Sequence, residues 1–275
     1  MKRSRQNLAI ITVNYKNYSV TQDFLESLEK QSLKNFKVYV VDVSEPIQKI
    51  PKKPFLEVVY DDNRGYAHGV NIGLKRALND DFSFFCIINN DTLVDNFFSK
   101  RVTKSLAANG NAVIAGKIYY APGFEYHKNR YEKENLGKIF WYAGGEVNWN
   151  NAVVTHRGVD EVDIGQFNML EKTGFVSGCL MCFDKSIVDK VGFFDENYFM
   201  YFEDADFCER SKRAGVNLYY DPSIVIWHKN AQSTGGSGSD FHQKWQKQSQ
   251  LRFAIKYAPL KTKFHLLKNY LFKLR

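Results

Sequence analysis

Apolar and polar positions along the first ninety residues predict alternating strands and helices. Four segments rich in Val, Ile and Phe are typical of buried strands: 8–13, 36–42, 56–60 and 82–88. Two stretches between them repeat apolar residues at helical spacing: Val20, Phe24, Leu25 and Leu28, then Ile72, Leu74 and Leu78. Ser19 is placed to cap the first helix. This β-α-β-β-α-β order predicts a mostly parallel sheet flanked by helices on both faces.

The rest of the chain has a different pattern. Residues from about 117 to 171 mix aromatics, glycines and charges, with alternating pieces at 141–147 and 152–157, which predicts antiparallel hairpins. After this region the pattern predicts a buried strand at 175–183 and a helix at 186–191 that is capped by Asp184. A further helix should begin at 201–207 and end at Gly215, and a last strand at 218–226 should end with Trp227 and His228. A flexible Gly/Ser loop at 231–240 and a basic helical segment at 241–275 follow.

Composition narrows the class of protein. The 275 residues are 44% apolar, which is enough for a substantial core. A formal net charge of +8 favours anionic partners such as nucleotide phosphates, acidic lipids or nucleic acid. The basic residues gather at the two ends without a nucleic-acid-binding module, so we expect no nucleic acid partner. The chain shows neither an apolar run of membrane-spanning length nor a signal peptide, so we expect a cytoplasmic protein.

The four cysteines lie in or beside apolar segments: Cys86, Cys179, Cys182 and Cys208. Cys179 and Cys182 have the C-x-x-C spacing, but no second pair completes a zinc site. A redox pair is one interpretation. Two buried thiols in a strand are the other, and this interpretation fits a reduced compartment.

The strand at 82–88 stops at Asn89-Asn90-Asp91-Thr92. The carboxyl ends of strands in α/β proteins are where ligands bind, and the segments 12–15 and Asp42 should meet this motif at one edge of the sheet. Carboxylate, amide and hydroxyl oxygens suit Mg²⁺ or Mn²⁺, and these ions suit a phosphate. A polar turn is the alternative interpretation.

Three acids cluster at a predicted helix start: Glu203, Asp204 and Asp206. They either complement the helix dipole or, because crowding and burial raise a carboxyl pKa, provide a general base near neutral pH. His228 is either structural or an imidazole ligand for the same cation as Asp91.

A loop with Gly65 and Gly69 enters the second helix, where backbone amides bind phosphate well. The loop is neither a P-loop nor a dinucleotide fingerprint, and no G-x-S-x-G motif occurs. ATP hydrolysis, NAD chemistry and serine hydrolysis are therefore disfavoured.

Five pieces together resemble family 2 inverting nucleotide-sugar glycosyltransferases of the GT-A fold, in the bacterial rhamnosyltransferase-like branch. The pieces are 11–15, 63–73, 89–92, 191–206 and 227–228. The resemblance implies a Rossmann-like, mostly parallel sheet with a small antiparallel extension. It also implies one domain over 1–230, with a donor half over about 1–115 and an acceptor half over about 116–230.

The resemblance also implies roles for the matching positions. The nucleotide pocket would be formed by Thr12, Asn14, Tyr15, Asp42, Asn63, Arg64, Gly65, Asn71 and Asn90. Asp91 and His228 would bind Mg²⁺ or Mn²⁺, and Asp204 would be the general base with Glu203 beside it. Asn89 replaces the first acid of the family's D-x-D motif, and Val43 replaces an Asn that usually follows Asp42.

The implied activity is that of a hexosyltransferase-type enzyme in cell-surface polysaccharide synthesis. It would move a sugar, rhamnose first among them, from a dTDP- or UDP-linked donor to a glycan or lipid-linked acceptor. UDP-hexose or galactofuranose transfer, nucleotidyl transfer and non-catalytic glycan binding are the alternatives. The basic, apolar pattern of the last fifteen residues fits either peripheral membrane contact at the inner face of the cell membrane or a solvated helix.

Overall fold

The computed structural model describes residues 8–127, 129–230 and 239–272. Its strands are β1 (Leu8–Asn14), β2 (Phe36–Asp42), β3 (Leu56–Tyr60), β4 (Phe84–Ile88), β5 (Thr92–Val94), β6 (Ala112–Tyr120), β7 (Phe140–Tyr142), β8 (Gly145–Asn148), β9 (Val153–His156), β10 (Glu171–Lys172), β11 (Leu180–Asp184) and β12 (Asn217–His228). Its helices are α1 (Tyr18–Glu29), α2 (Tyr66–Asn79), α3 (Phe98–Ala108), α4 (Lys185–Val191), α5 (Glu203–Arg213), α6 (Asp240–Tyr257) and α7 (Leu260–Phe272), with a 3₁₀ turn at Lys133–Asn135.

One large sheet organises the molecule, in the strand order β10-β12-β6-β11-β4-β1-β2-β3. Strands β1 to β4 are mutually parallel neighbours, and β12 runs parallel to β6. Strand β11 lies antiparallel between β4 and β6, while β8 and β9 form a separate antiparallel pair. The predicted α/β class, with a mostly parallel central sheet and a small antiparallel extension, is confirmed.

The parallel strands bring three polar strand ends to the same edge of the sheet. Asn14 at the end of β1 lies opposite Asp42 at the end of β2, and β4 delivers the 89–92 motif on the other side of β1. Helix α2 packs closely on this region, because a Cβ on Gly73 would lie 2.4 Å from Ile11 Cγ2. The site is therefore built on a rigid part of the core.

Several element boundaries differ from the predictions. Helix α1 begins before Ser19, because its first turn closes with a bond from the Thr21 N–H to the Asn17 carbonyl, so Ser19 does not cap it. The strand predicted at 175–183 is confined to β11, since only Leu180 onward pairs with β4. The piece at 141–147 is divided between β7 and β8, which belong to different sheets. Strand β6 was not predicted.

Two helices form the described part of the tail, and α6 packs against the sheet domain. Its Phe253 is fully buried, with the ring stacked on Trp149 at a centroid distance of 5.6 Å. The buried carboxylate of Asp206 accepts hydrogen bonds from Tyr257 and Lys256 of α6. Residues 231–238, which make up most of the predicted Gly/Ser loop, lie outside the described residues. None of the helices in the described ranges is long and apolar enough to cross a bilayer.

Candidate functional site

A cleft of about 1010 Å³ opens at the edge of the sheet where β1, β2 and β4 end. The starts of α2, α5 and α6 and the end of β12 complete its wall. Its polar lining includes Tyr15, Asn63, Asn89, Asn90, Asp91, Glu203, Asp204 and His228, and its apolar lining includes Trp141, Phe175, Phe199, Tyr201, Phe202 and Phe241. The structure thus brings the strand-end motif, the acid cluster and the strand-end histidine to one cavity.

A buried hydrogen-bond network supports the floor of the cleft. Asn14 Nδ2 donates to Asp42 Oδ1 at 2.9 Å, and the Tyr18 hydroxyl donates to Asp42 Oδ2 at 2.9 Å. Asn90 Nδ2 donates to Asn14 Oδ1 at 3.2 Å and to Thr21 Oγ1 at 2.8 Å. The ends of β1, β2 and β4 are therefore cross-linked by side chains, which fixes the position of the neighbouring Asp91.

Asp91 and His228 meet at the wall of the cleft. The pairing of β5 with β12 sets His228 opposite Thr92, and His228 Nε2 lies 3.1 Å from Asp91 Oδ1. Asp91 Oδ1 has no further polar partner within the described ranges besides this contact with His228, and the buried His228 Nδ1 has none. A buried polar atom left unpaired costs about 1–3 kcal/mol, so such atoms mark a place where an ion, a water or a ligand is bound.

The donor set at this point suits a divalent cation only in part. Carboxylate oxygens suit Mg²⁺ and Mn²⁺, and an imidazole adds a nitrogen ligand that Mg²⁺ uses less readily. No group of three or more His, Cys, Asp or Glu side chains able to hold a metal occurs in residues 8–127, 129–230 and 239–272. A cation held by Asp91 and His228 would need oxygens from a ligand to complete its coordination.

Asp204 and Glu203 occupy the first turn of α5 in different environments. Asp204 Oδ2 accepts from the Gly178 N–H at 2.8 Å, and Oδ1 accepts from the Ala205 N–H at 2.8 Å. Glu203 is buried, and its Oε2 is unpaired within the described part of the chain. Burial raises the pKa of both carboxyls, and the neighbouring Asp204 charge raises the pKa of Glu203 further.

These environments separate the two acids chemically. Backbone N–H groups, those of Gly178 and Ala205 among them, lower the pKa of Asp204 and offset part of the effect of its burial, whereas the Asp204 charge adds to the effect of burial on Glu203. Glu203 is therefore the more readily protonated of the two acids.

The backbone before α5 is strained. Tyr201 and Phe202 have φ values of 66° and 65°, in the left-handed region that bulky side chains avoid. Such conformations cost about 1–3 kcal/mol each and persist where the surroundings enforce them, often at functional sites. The strained turn places Glu203 and Asp204 at the cleft while Asp206, two residues further along, contacts α6.

The sequence analysis did not identify Tyr66 as a site residue. Its hydroxyl lies 3.1 Å from Asn89 Oδ1 and 3.3 Å from the Gly178 carbonyl oxygen, between the 89–92 motif and the loop that anchors Asp204. Burial and the surrounding carboxylates raise its pKa well above the ordinary value, so the hydroxyl stays protonated. The position of a tyrosine directly after Gly65 could have indicated a role for Tyr66 in the site. The glycines at 65 and 69 predicted a loop there, whereas α2 already begins at Tyr66.

Gly65 allows the turn into α2. Its φ is +104°, and a Cβ there would lie 2.4 Å from the Phe199 carbonyl oxygen. The same carbonyl accepts the Tyr66 N–H at 2.8 Å. The absence of a side chain at Gly65 therefore lets the 199–202 turn approach and fixes the orientation of Tyr66.

The nucleotide-binding residues predicted from the resemblance fall into two groups. Tyr15, Asn63, Gly65 and Asn90 line the cleft. The other five do not appear in its lining: Thr12, Asn14, Asp42, Arg64 and Asn71. Asn71 is bonded to the Phe194 backbone and to Glu196, and Arg64 faces Asp61 at 3.7 Å. Their assigned roles stay predictions.

Aromatic rings form one wall of the cleft beside His228. The Trp141 ring lies edge-on to His228 at 4.7 Å and to His156 at 4.5 Å. Burial lowers the pKa of His156 to about 4, so its imidazole is neutral at physiological pH. This wall combines flat apolar surfaces with few charges, a surface of the kind that packs against sugar rings.

The comparisons with known proteins agree with this architecture. The model of glycosyl transferase family 2 matches residues 9–192. A 62-residue stretch is 44% identical to N-acetylglucosaminyl-diphospho-decaprenol L-rhamnosyltransferase of Mycobacterium tuberculosis, covering 22% of this chain and 20% of that protein. Over 216 residues the chain is 20% identical to the low-salt glycan biosynthesis hexosyltransferase Agl10 of Haloferax volcanii, covering 77% of this chain and 64% of that one.

The fold also has a counterpart among solved structures. The crystal structure of GalNAc-T7 with UDP, GalNAc and Mn²⁺ superposes with a TM-score of 0.62 at 13% identity, over 81% of this chain and 43% of that one. The matches span less than two thirds of each relative. The family model nevertheless covers more than half of this chain, including the strand ends and Asp91, and it ends before Glu203, Asp204 and His228. The chain therefore belongs to glycosyl transferase family 2.

Proposed function

We propose that this glycosyltransferase transfers a sugar from a nucleotide-diphosphate donor to a glycan or lipid-linked acceptor in a single, inverting displacement. The observation that carries the proposal is that two chemically different carboxylates line one cleft. Asp91 lies 3.1 Å from His228, whose buried Nδ1 is unpaired in the described ranges, while Asp204 is held by backbone amides beside a more readily protonated Glu203. One carboxylate suits a cation and a diphosphate, and the other suits proton abstraction.

On the donor side, Asp91 and His228 would hold Mg²⁺ or Mn²⁺ together with the diphosphate. A divalent ion bound there supplies a Lewis acid that offsets the negative charge of the departing nucleoside diphosphate. Asn90, Tyr15 and Asn63 lie along the same wall and would position the nucleotide. The neutral Tyr66 hydroxyl can donate a hydrogen bond without adding charge near the diphosphate.

On the acceptor side, Asp204 would remove the proton from the attacking hydroxyl as the new glycosidic bond forms. A general base contributes most when it is ionised and held within hydrogen-bond reach of the hydroxyl. The bonds from Gly178 and Ala205 favour the ionised form of Asp204 and orient its carboxylate. The aromatic wall around Trp141 and Phe175 would stack on acceptor sugar rings.

For the donor we propose dTDP-rhamnose first, because the segment of highest identity is shared with a rhamnosyltransferase. UDP-hexose is the second candidate, since the longer similarity is to a hexosyltransferase. UDP-galactofuranose is a third possibility. We expect the reaction to serve cell-surface polysaccharide synthesis in the cytoplasm, at the inner face of the cell membrane.

A thermal-shift panel tests the donor assignment, because a ligand that binds only the native state raises its melting temperature. The panel would contain dTDP-rhamnose, UDP-glucose, UDP-galactofuranose and the free diphosphates, each with and without Mn²⁺. We expect the largest shift with dTDP-rhamnose and Mn²⁺, and a much smaller shift for Asp91→Ala. A panel without any Mn²⁺-dependent shift would contradict the proposal, and a preference for a UDP-sugar would reassign the donor.

A further inference from the structure

Helix α7 presents an exposed apolar stripe on the side that faces away from the protein. Leu260 and Phe264 are each 71% exposed and Leu267 is 40% exposed. These positions follow the i, i+4, i+7 spacing, so their side chains share one face of the helix. Single exposed apolar residues are common on protein surfaces, but three aligned on one helix form a contiguous apolar patch, and such patches mark interaction sites.

The opposite face of α7 is attached to the sheet domain. Thr262 is buried and donates to the Trp149 carbonyl oxygen at 2.8 Å, and Leu266 packs against the core. The stripe is therefore not the docking face of a detached helix. It is an outward surface on a helix that already has its intramolecular contacts.

Charge identifies the partner of this surface. Residues 239–272 contain seven Lys or Arg residues and a single acid, Asp240, and α7 itself has three lysines without any carboxylate. Lys261 and Lys263 flank the exposed stripe along the helix sequence. An apolar stripe bordered by lysines fits the interface of a bilayer that contains anionic lipid, where the stripe enters the acyl boundary and the lysines meet the headgroups.

The same helices connect this surface to the cleft. Phe241, His242 and Gln246 in the first turns of α6 line the cleft, and its last turns hold the buried Phe253 and pack on α7. We propose that α7 is a bilayer-binding surface that seats the enzyme on anionic membrane with α6 as the rigid link to the cleft. This inference goes beyond the transfer reaction, and its test does not depend on activity.

Sedimentation with lipid vesicles tests the surface directly. Wild-type protein is mixed with vesicles of equal parts phosphatidylglycerol and phosphatidylcholine, and with pure phosphatidylcholine vesicles. We expect binding to the anionic vesicles only, weakened by salt. Leu260→Ser/Phe264→Ser and Lys261→Glu/Lys263→Glu should each weaken binding at least tenfold. Both pairs lie at the surface, and unchanged circular dichroism and melting temperature would show that the fold is retained.

A matched control separates this surface from general basicity. Lys100→Glu/Lys104→Glu on α3 makes the same change in net charge at two exposed positions, and should bind as the wild type does. Wild-type protein that stays in the supernatant with anionic vesicles at low salt would overturn the proposal, as would equal losses in the control. Ultracentrifugation showing a dimer that Leu260→Ser/Phe264→Ser dissociates would instead assign the stripe to a second copy of the chain.

Discussion

Replacing Asp204 and Glu203 separately tests the division of roles between the two acids. Asp204→Asn removes the charge of the proposed base while keeping its size. General base catalysis contributes about 10²–10⁴-fold, so we expect kcat to fall by that factor, which corresponds to about 3–5 kcal/mol of transition-state stabilisation. Donor binding should be unchanged, because the Asp91 region is untouched.

The structure also sets the effect of Asp204→Asn on stability. The two carboxylate oxygens accept from the Gly178 and Ala205 amides, each at 2.8 Å. An asparagine offers a single oxygen, so one buried N–H loses its acceptor at a cost of about 1–3 kcal/mol. Removal of a buried charge next to Glu203 offsets part of this loss. The melting temperature should therefore fall by less than the roughly 2–12 °C that the lost hydrogen bond alone would cost at about 2–4 °C per kcal/mol.

Glu203→Gln is the matched control for the same pair. Because burial and the Asp204 charge raise the pKa of Glu203 and so favour its neutral form, an amide should be a close substitute, and kcat should stay within about fivefold of wild type. Transfer rates and donor affinity would be measured for both variants, by product formation and by calorimetry. Wild-type kcat in Asp204→Asn, or an equal loss in Glu203→Gln, would refute the assignment of Asp204 as the base.

Four further outcomes follow from the same geometry. Asp91→Ala should weaken Mn²⁺-dependent donor binding at least tenfold in calorimetry and leave any metal-free binding unchanged, whereas unchanged affinity with Mn²⁺ would exclude Asp91 as a ligand. Tyr66→Phe should lower kcat about tenfold with little change in KM, since a neutral hydrogen bond contributes about 0.5–1.5 kcal/mol; an unaltered kcat would make the hydroxyl structural. Gly65→Ala should lower the melting temperature and activity together, because its Cβ would lie 2.4 Å from the Phe199 carbonyl oxygen. Because the pKa of Glu203 is raised in the folded protein, its contribution to the free energy of unfolding is complete below its unfolded pKa and is lost as the pH rises through its folded pKa. The melting temperature of Glu203→Gln should therefore rise relative to that of the wild type as the pH rises. A difference in melting temperature that does not change with pH would contradict this.

Local patterns predicted the first strands and helices of the sheet domain well. Strands β1 and β2 are visible in the sequence as apolar runs that are buried on both faces, and helix α1 is visible as apolar residues at helical spacing. Their order fixed the parallel arrangement and hence the edge at which Asn14, Asp42 and Asp91 gather. The capping of α4 by Asp184 was also confirmed, because that interaction involves residues only two positions apart.

Long-range contacts limited the rest of the prediction. The segment from Phe175 to Cys179 is buried, but most of it does not pair with a neighbouring strand. It turns instead, so that the Gly178 N–H donates a hydrogen bond to Asp204. A buried segment that pairs in a sheet and a buried segment that does not can have the same apolar sequence pattern. Tyr66 is held by residues far away in the sequence, among them Asn89 and Gly178, which are 23 and 112 residues away. The docking of α6 beside the cleft depends in the same way on Asp206 and Trp149.

The central claim is that one cleft combines a metal-assisted donor site with a separate base. Release of nucleoside diphosphate from dTDP-rhamnose and the UDP-sugars, measured with Mn²⁺ and a glycan or lipid-linked acceptor, tests it most directly. The account predicts acceptor-dependent release by the wild type with at least one donor, abolished by a chelator and lost in Asp204→Asn. Release that persists in Asp204→Asn or in the presence of the chelator, or no release from any donor, would contradict it.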